Sequence, residues 1–254
     1  MSTKVRQALV SPGYLAGPGD PGWVTAALHT SAGWSHGQDP LVPRVILTSP
    51  DQKSLLRLEP VIGEPWWRLS HRNGRTGSAW EASFDGATPV ELIAAVTDAL
   101  SHPDYDERET ADSHTVLVRA GWYVSGDDFR SPDRCVRGAR HLFPGSTDWR
   151  VTASLYEDLP VWNARFSSST PRVLVAAFLQ ALADPAPVLR RYEQPVNLVR
   201  SQVTLRWLEQ PPEDVARRLP ERIERLAAPR PNPPAPPAPS AVPPPAPSTR
   251  RRPH

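Results

Sequence analysis

Two glycine motifs and a few matched arginines are the places where this chain could do chemistry. Gly33-Trp34-Ser35-His36-Gly37 fits G-x-S-x-G. In a hydrolase that pattern bends a strand sharply into a helix and exposes the serine as nucleophile. Here Gln38-Asp39-Pro40-Leu41-Val42-Pro43 follows, and two prolines bar a helix. Ser35 and His36 are adjacent, which does not aim the imidazole at the hydroxyl, so a base would have to come from His71 or His114. Gly17-Pro18-Gly19-Asp20-Pro21-Gly22 fits G-x-G-x-x-G, which binds a dinucleotide only between a strand and a helix. Two prolines interrupt it and no helical pattern follows closely, so it reads as a turn. The seven histidines show no H-x-H or H-x-x-x-H spacing, and the single Cys135 excludes an intramolecular disulfide and a cysteine-based zinc site. No catalytic residue, metal or cofactor is expected.

Composition narrows the remaining classes. Of the 29 basic residues only Lys4 and Lys53 are lysines, an arginine bias that fits a GC-rich genome. The net charge of +2 is unevenly placed: the stretch 229–254 holds four arginines and no acid, which leaves 25 basic against 27 acidic residues in 1–228. A slightly acidic body lacks the general basic field of a nucleic-acid-binding domain, although a local arginine patch remains compatible with it. No stretch approaches the ~20 apolar residues of a membrane span, and the first twenty residues lack the apolar run of a signal peptide. The expected location is cytoplasmic, with no membrane partner.

The elements that would position any site come from an internal repeat. Trp80–Pro103 aligns without a gap on Trp162–Pro185 at an offset of 82, with eleven of 24 positions identical. The same offset matches Trp67-Arg68 to Trp149-Arg150 and Ser49-Pro50-Asp51 to Ser131-Pro132-Asp133; Gly33-Trp34 matches Gly121-Trp122 after a six-residue shift. Apolar, β-branched runs (RVILTS, KSLLRL, WWRLS) precede WEASF, whose Trp80, Ala82 and Phe84 share one face by period-2 alternation, as do Trp162, Ala164 and Phe166. Thr88-Pro89 and Thr170-Pro171 then read as an N-cap with proline at N1, and Glu91 completes a Thr-x-x-Glu capping box. Leu92, Val96 and Leu100 recur at helical spacing, as do Leu174, Phe178 and Leu182.

The expected fold is therefore α+β: two tandem repeats, each a short helix, three or four antiparallel strands and a C-terminal helix packed on the sheet. The division is an irregular segment 1–23, repeat 24–104, linker 105–111, repeat 112–186, an extension 187–228 and a disordered Pro/Arg-rich tail 229–254. Six of the nine tryptophans fall at equivalent positions and read as core anchors. In the extension, Val215, Leu219, Ile223 and Leu226 mark an amphipathic helix that Pro220 should kink or split. The tail carries PxxP spacings and Arg250-Arg251-Arg252, a weak electrostatic hook.

The ordered pattern GW…DP…SPD…WR…WxAxF…TPxxLxAAxxxAL resembles the actinobacterial SPDY-domain family, named for a Ser-Pro-Asp-Tyr motif and of unknown function. The resemblance covers 24–186 and implies no activity. Gln52 and Arg134 stand where the family has its tyrosine. Ser-Pro-Asp itself reads as a hairpin corner, since proline presets φ and serine and aspartate bond locally to backbone. The first functional reading is a non-catalytic binding or scaffold protein with a protein partner. The second is nucleic-acid binding through Arg57, Arg68, Arg150, exposed tryptophans and Arg250, Arg251 and Arg252; the third is a hydrolase centred on Ser35. On a strand, Arg68 and Arg150 lie opposite Trp67 and Trp149, as solvated side chains or as clamps for phosphate or carboxylate.

Overall fold

A computed structural model describes residues 4–37, 42–72, 79–106, 113–143, 146–156, 159–191 and 202–228. The first element is strand β1 (Val5–Ser11), followed by a 3-10 turn at Gly13–Leu15, so residues 1–23 are not irregular throughout. The first copy comprises α1 (Gly22–Ser31), β2 (Ser35–Gly37), β3 (Val45–Thr48), β4 (Ser54–Leu58), β5 (Trp67–Arg72), β6 (Ala79–Phe84) and α2 (Val90–Leu100). The second repeats the order with α3 (Ser113–Arg119), β7 (Tyr123–Ser125), β8 (Asp128–Arg130), β9 (Val136–Phe143), β10 (Ser146–Tyr156), β11 (Leu159–Phe166) and α4 (Arg172–Leu182). Each copy thus has five strands where three or four were expected. The additional ones are β2 and β7, which pair through only three residues each and carry too little periodicity to register in sequence.

Among the described residues the ten strands form one antiparallel sheet, β2-β3-β4-β5-β6-β11-β10-β9-β8-β7. The order is a palindrome about β6 and β11. At that seam Ala82 faces Phe166, Ser83 faces Arg165 and Phe84 faces Ala164, so an approximate two-fold axis passes through the Ser83–Arg165 pair. Joining there removes the two long strand edges that separate copies would expose, and leaves only the three-residue strands β2 and β7 outermost. Helices α2 and α4 pack against each other and, with the strands' inward faces, enclose one core spanning both copies. Phe84 and Phe166 meet edge to face at 5.6 Å, and Phe178 of α4 packs on both.

The helix stripes face this core as expected, with Leu92, Val96, Leu174, Phe178 and Leu182 buried. The caps differ from expectation. Pro89 and Pro171 are extended (ψ 129° and 135°) and occupy the N-cap position, so the helices start one residue later. Thr88 therefore falls outside capping reach, and its buried hydroxyl has no hydrogen-bond partner. Thr170 bonds to Ser167 instead. No capping box forms; Glu91 is held by Arg190.

The extension supplies β12 (Val188–Arg191), β13 (Thr204–Gln210) and α5 (Pro212–Ala227). β12 and β13 flank β1 in a three-stranded sheet, so the two ends of the body are hydrogen-bonded together. α5 runs through Pro220 without a break; Ala216, whose carbonyl loses its bond there, is exposed and can turn to water. Two buried arginines clamp the extension to α2. Arg190 meets Glu91 at 2.7 Å through both guanidinium nitrogens, and Arg222 meets both oxygens of Asp98 at 2.9 Å while lying 5.0 Å over the Trp23 ring. The tail 229–254, with Arg250, Arg251 and Arg252, lies outside the described residues.

Candidate anion-binding face

The hydrolase motif does not assemble. Ser35-His36-Gly37 is strand β2, and the Ser35 hydroxyl bonds to the carbonyl of Thr48 at 3.4 Å rather than to a histidine. The serine–histidine pair that does form is Ser54 with His71 Nδ1, at 2.8 Å. Both residues are buried, and His71 stacks on Trp80, so this pair braces β4 against β5. Contrary to the sequence expectation, a helix does follow the Gly17–Gly22 motif directly and a strand precedes it. It still does not offer a phosphate cradle: the N–H groups of Gly22 and Trp23 donate to the Asp20 carboxylate and carbonyl, that of Val24 donates to the Pro21 carbonyl, and the carbonyls of Ala16 and Gly17 accept from Arg190. Among the described residues no group of three histidine, cysteine or acidic side chains stands close enough to hold a metal.

The repeated tryptophans cannot stack on a ligand, although Trp66 and Trp207 are 39 % and 40 % exposed. The six at equivalent positions (Trp34, Trp67, Trp80, Trp122, Trp149 and Trp162) are only 1–8 % exposed. Because strand side chains alternate, their burial forces the neighbouring residues onto the opposite, helix-free face. There the ladder places Arg57 beside Arg68, Arg68 beside Ser83, Ser83 beside Arg165, and Arg165 beside Arg150. Four arginines thus lie in one register row that crosses the seam and spans four interstrand steps, about 19 Å. Two of the predicted residues, Arg57 and Arg68, come from the first copy and one, Arg150, from the second. Arg165 was missed, although its place between Ala164 and Phe166 gives it the same outward parity.

Ion pairs hold several members of the row. In the first copy Arg68 pairs with Glu64 at 2.6 Å, and Glu59 approaches Arg57 and Arg44 at about 4 Å. These are partly exposed pairs that water and salt weaken. At the seam Arg165 is held by the buried carboxylate of Asp148, and Asp85 accepts from Asn163. In the second copy an open cleft of about 1230 Å³ adds Arg130, Arg134 and Arg137 to Arg150, with Asp128 the one acidic residue of its lining. The exposed ring of Tyr123 stands in the same lining.

At the edge of that cleft stands the second Ser-Pro-Asp. Ser131 Oγ bonds to Asp133 Oδ1 and accepts from the Val136 N–H, the Arg134 N–H returns to the Ser131 carbonyl, and the Cys135 N–H donates to Asp133. Ser49, Pro50 and Asp51 make the same bonds to Gln52, Lys53 and Ser54. Both are hairpin corners, joining β3 to β4 and β8 to β9. Gln52 and Arg134 adopt left-handed φ of 61° and 64°. The position that holds tyrosine in the resemblance is thus the one that reverses the chain, with its side chain outside the core. Burial alone would raise the Asp51 pKa, but bonds from Ser49 and Lys53 outweigh it and hold the carboxyl below its usual range.

The SPDY domain matches here twice. Its family model, described as a domain of unknown function (DUF317), covers residues 48–105 and 130–188. Each match starts one residue before a Ser-Pro-Asp corner, so the SPDY register is the hairpin register. Each also leaves out the preceding helix, the edge strand and all but the last residue of the next strand, β3 or β8; these strands pair into the same sheet. No curated protein and no solved structure matches the chain.

The second Ser-Pro-Asp corner has one further connection. Asp133 Oδ2 accepts from the Tyr14 hydroxyl at 2.7 Å, and the Tyr14 carbonyl accepts from Trp162 Nε1 at 2.8 Å. The Tyr14 pKa is raised, by burial first and then by Asp133. The neighbouring Cys135 thiol donates to Gln202, and burial, with the Asp133 charge, pushes its pKa up to about 11. Alkylation needs the thiolate, so Cys135 of the native chain should react with iodoacetamide at pH 8 on the order of a hundredfold more slowly than in denaturant. Mass spectrometry of a quenched time course measures this; equal rates would contradict the buried thiol.

Proposed function

We propose that the chain is a non-catalytic binding protein whose ligand face is the helix-free side of the ten-stranded sheet, and that its ligand is a phosphate-rich polymer, nucleic acid in the first place. The observation that carries this reading is the register row of Arg57, Arg68, Arg165 and Arg150, which draws on both SPDY copies. The sequence reading put a protein partner first because the body is acidic in sum. Binding responds to the local field rather than to the net charge, and the ladder sets four arginines in one row although acids flank several of them. Arginine suits phosphate through its flat, bidentate fork.

The test is a fluorescence-anisotropy titration of the full chain with labelled oligonucleotides across a salt series. Wild type should bind with log K falling linearly in log salt. The triple variant Arg57→Ala, Arg68→Ala, Arg150→Ala should lower that slope by about two to three, at ~0.7–0.9 per phosphate contact. An Arg250→Ala, Arg251→Ala, Arg252→Ala variant measures the tail's share separately. If the triple variant binds like wild type, or wild type binds no polyanion at low salt, the reading is wrong.

One observation favours a protein partner as a second reading. The β4–β5 loop exposes Ile62 (99 %), with Val61 and Trp66 beside it, next to an apolar pocket of about 380 Å³ between Pro43, Pro60 and Trp66. Exposed apolar residues clustered at a pocket are typical of protein contacts.

A further inference from the structure

We infer that the second copy's half of the face is a cleft for single-stranded nucleic acid, in which Tyr123 stacks on a base while Arg130, Arg134, Arg137 and Arg150 hold the phosphates. The inference rests on the polyanion reading above and adds the strand type and the base-contacting residue.

A second register row carries it. Tyr123 pairs with Arg130, Arg130 with Arg137, Arg137 with Thr152, and Thr152 with Asn163. One straight line across five strands therefore runs from an aromatic ring, through two guanidinium groups, to two hydrogen-bonding side chains. Tyr123 is 69 % exposed because the preceding Trp122 is buried in the core and alternation turns the next side chain outward. The cleft is open along its length rather than closed around a pocket, a shape that admits a polymer segment lying across the strands.

The first copy shows that the fold does not require these residues. At the 82-residue offset, Arg130, Arg134 and Arg137 correspond to Thr48, Gln52 and Leu55, and at the six-residue shift Tyr123 corresponds to Ser35. The hairpins form in both copies, so the arginines and the ring are additions confined to one of them. Arg134 also occupies a left-handed backbone position that favours glycine, at the rim where its side chain reaches the cleft. A duplex has its base faces stacked internally and offers nothing to a ring at the rim; a single strand presents them.

The experiment compares full-length wild type, Tyr123→Ala and Tyr123→Phe against a labelled single-stranded oligothymidine, its oligouridine counterpart, a duplex of equal length and inorganic polyphosphate. Wild type should prefer the single strands. Tyr123→Ala should weaken them about tenfold or more and leave polyphosphate unchanged, and Tyr123→Phe should behave as wild type because the ring face is retained. If wild type binds duplex and polyphosphate as tightly as single strands, or Tyr123→Ala is without effect, the inference fails while the polyanion reading stands. If Tyr123→Phe falls with Tyr123→Ala, stacking is not the contact and the inference fails. If wild type binds none of the four probes, both fall together.

Discussion

Arg190→Ala should lower the stability of the native chain by about 3–5 kcal/mol, the largest single-residue loss expected for a charged side chain here. Arg190 is 3 % exposed and makes five hydrogen bonds: two to Glu91 and one each to the carbonyls of Ala16, Gly17 and Leu189. Alanine leaves those carbonyls and half of a salt bridge without partners, which costs far more than the net worth of the bonds. For a body of this size the loss corresponds to a melting temperature lower by roughly 6–20 °C. Glu91→Ala should cost less, because the arginine keeps its three carbonyls and Glu91 is partly open to water. Urea unfolding of the three chains reads the order directly. Equal stability of Arg190→Ala and wild type would mean that β12 is not held to α2 through this residue.

The second large effect is steric. A Cβ on Gly138 would lie 2.0 Å from Cζ of Phe129, the residue it faces across β8 and β9. Gly138→Ala should therefore cost about 3 kcal/mol, the upper part of the range for overpacking, and Gly138→Leu more. The first copy supplies the remedy: Leu47 and Leu56, 82 residues earlier, face each other at the same register, both 1 % exposed. One copy fills the space with two leucines and the other with a phenylalanine and a glycine. Phe129→Leu combined with Gly138→Leu should thus recover most of the stability that Gly138→Leu loses. The denaturation midpoints of the single and double variants decide it; a double variant no better than Gly138→Leu would show that the copies pack differently at this layer.

Much of this protein could be read from local pattern. Period-2 alternation in WEASF and WNARF put their tryptophans and phenylalanines on the core face, and the pairs Trp67-Arg68 and Trp149-Arg150 predicted that Arg68 and Arg150 would point away. The Ser-Pro-Asp corners followed from turn chemistry, and the helix stripes from 3.6-residue spacing. Apart from the short strands β2 and β7 and the one-residue shift of the helix caps, what failed was non-local. Glu91 looked like the third residue of a capping box because its competing partner, Arg190, is 99 residues distant in sequence. The Gly17–Gly22 loop looked like a bare turn because the guanidinium that fills it comes from β12. Strand β1 went unseen because both of its partners lie beyond residue 187.

The sequence by itself determined the repeat, its register, and the inward and outward faces of the strands it announced. These depend on dihedral periodicity and on which side chains avoid water, properties that each short segment carries alone. Only the tertiary structure decided that the two copies join edge to edge, and therefore that Arg57, Arg68, Arg165 and Arg150 share a line. It also decided that Tyr123, Arg130 and Arg137 share another. A row across strands exists only once the pairing partners are chosen, and no single segment carries that choice; at the seam it goes with the packing of Phe84, Phe166 and Phe178 and the bonds between Asp85 and Asn163.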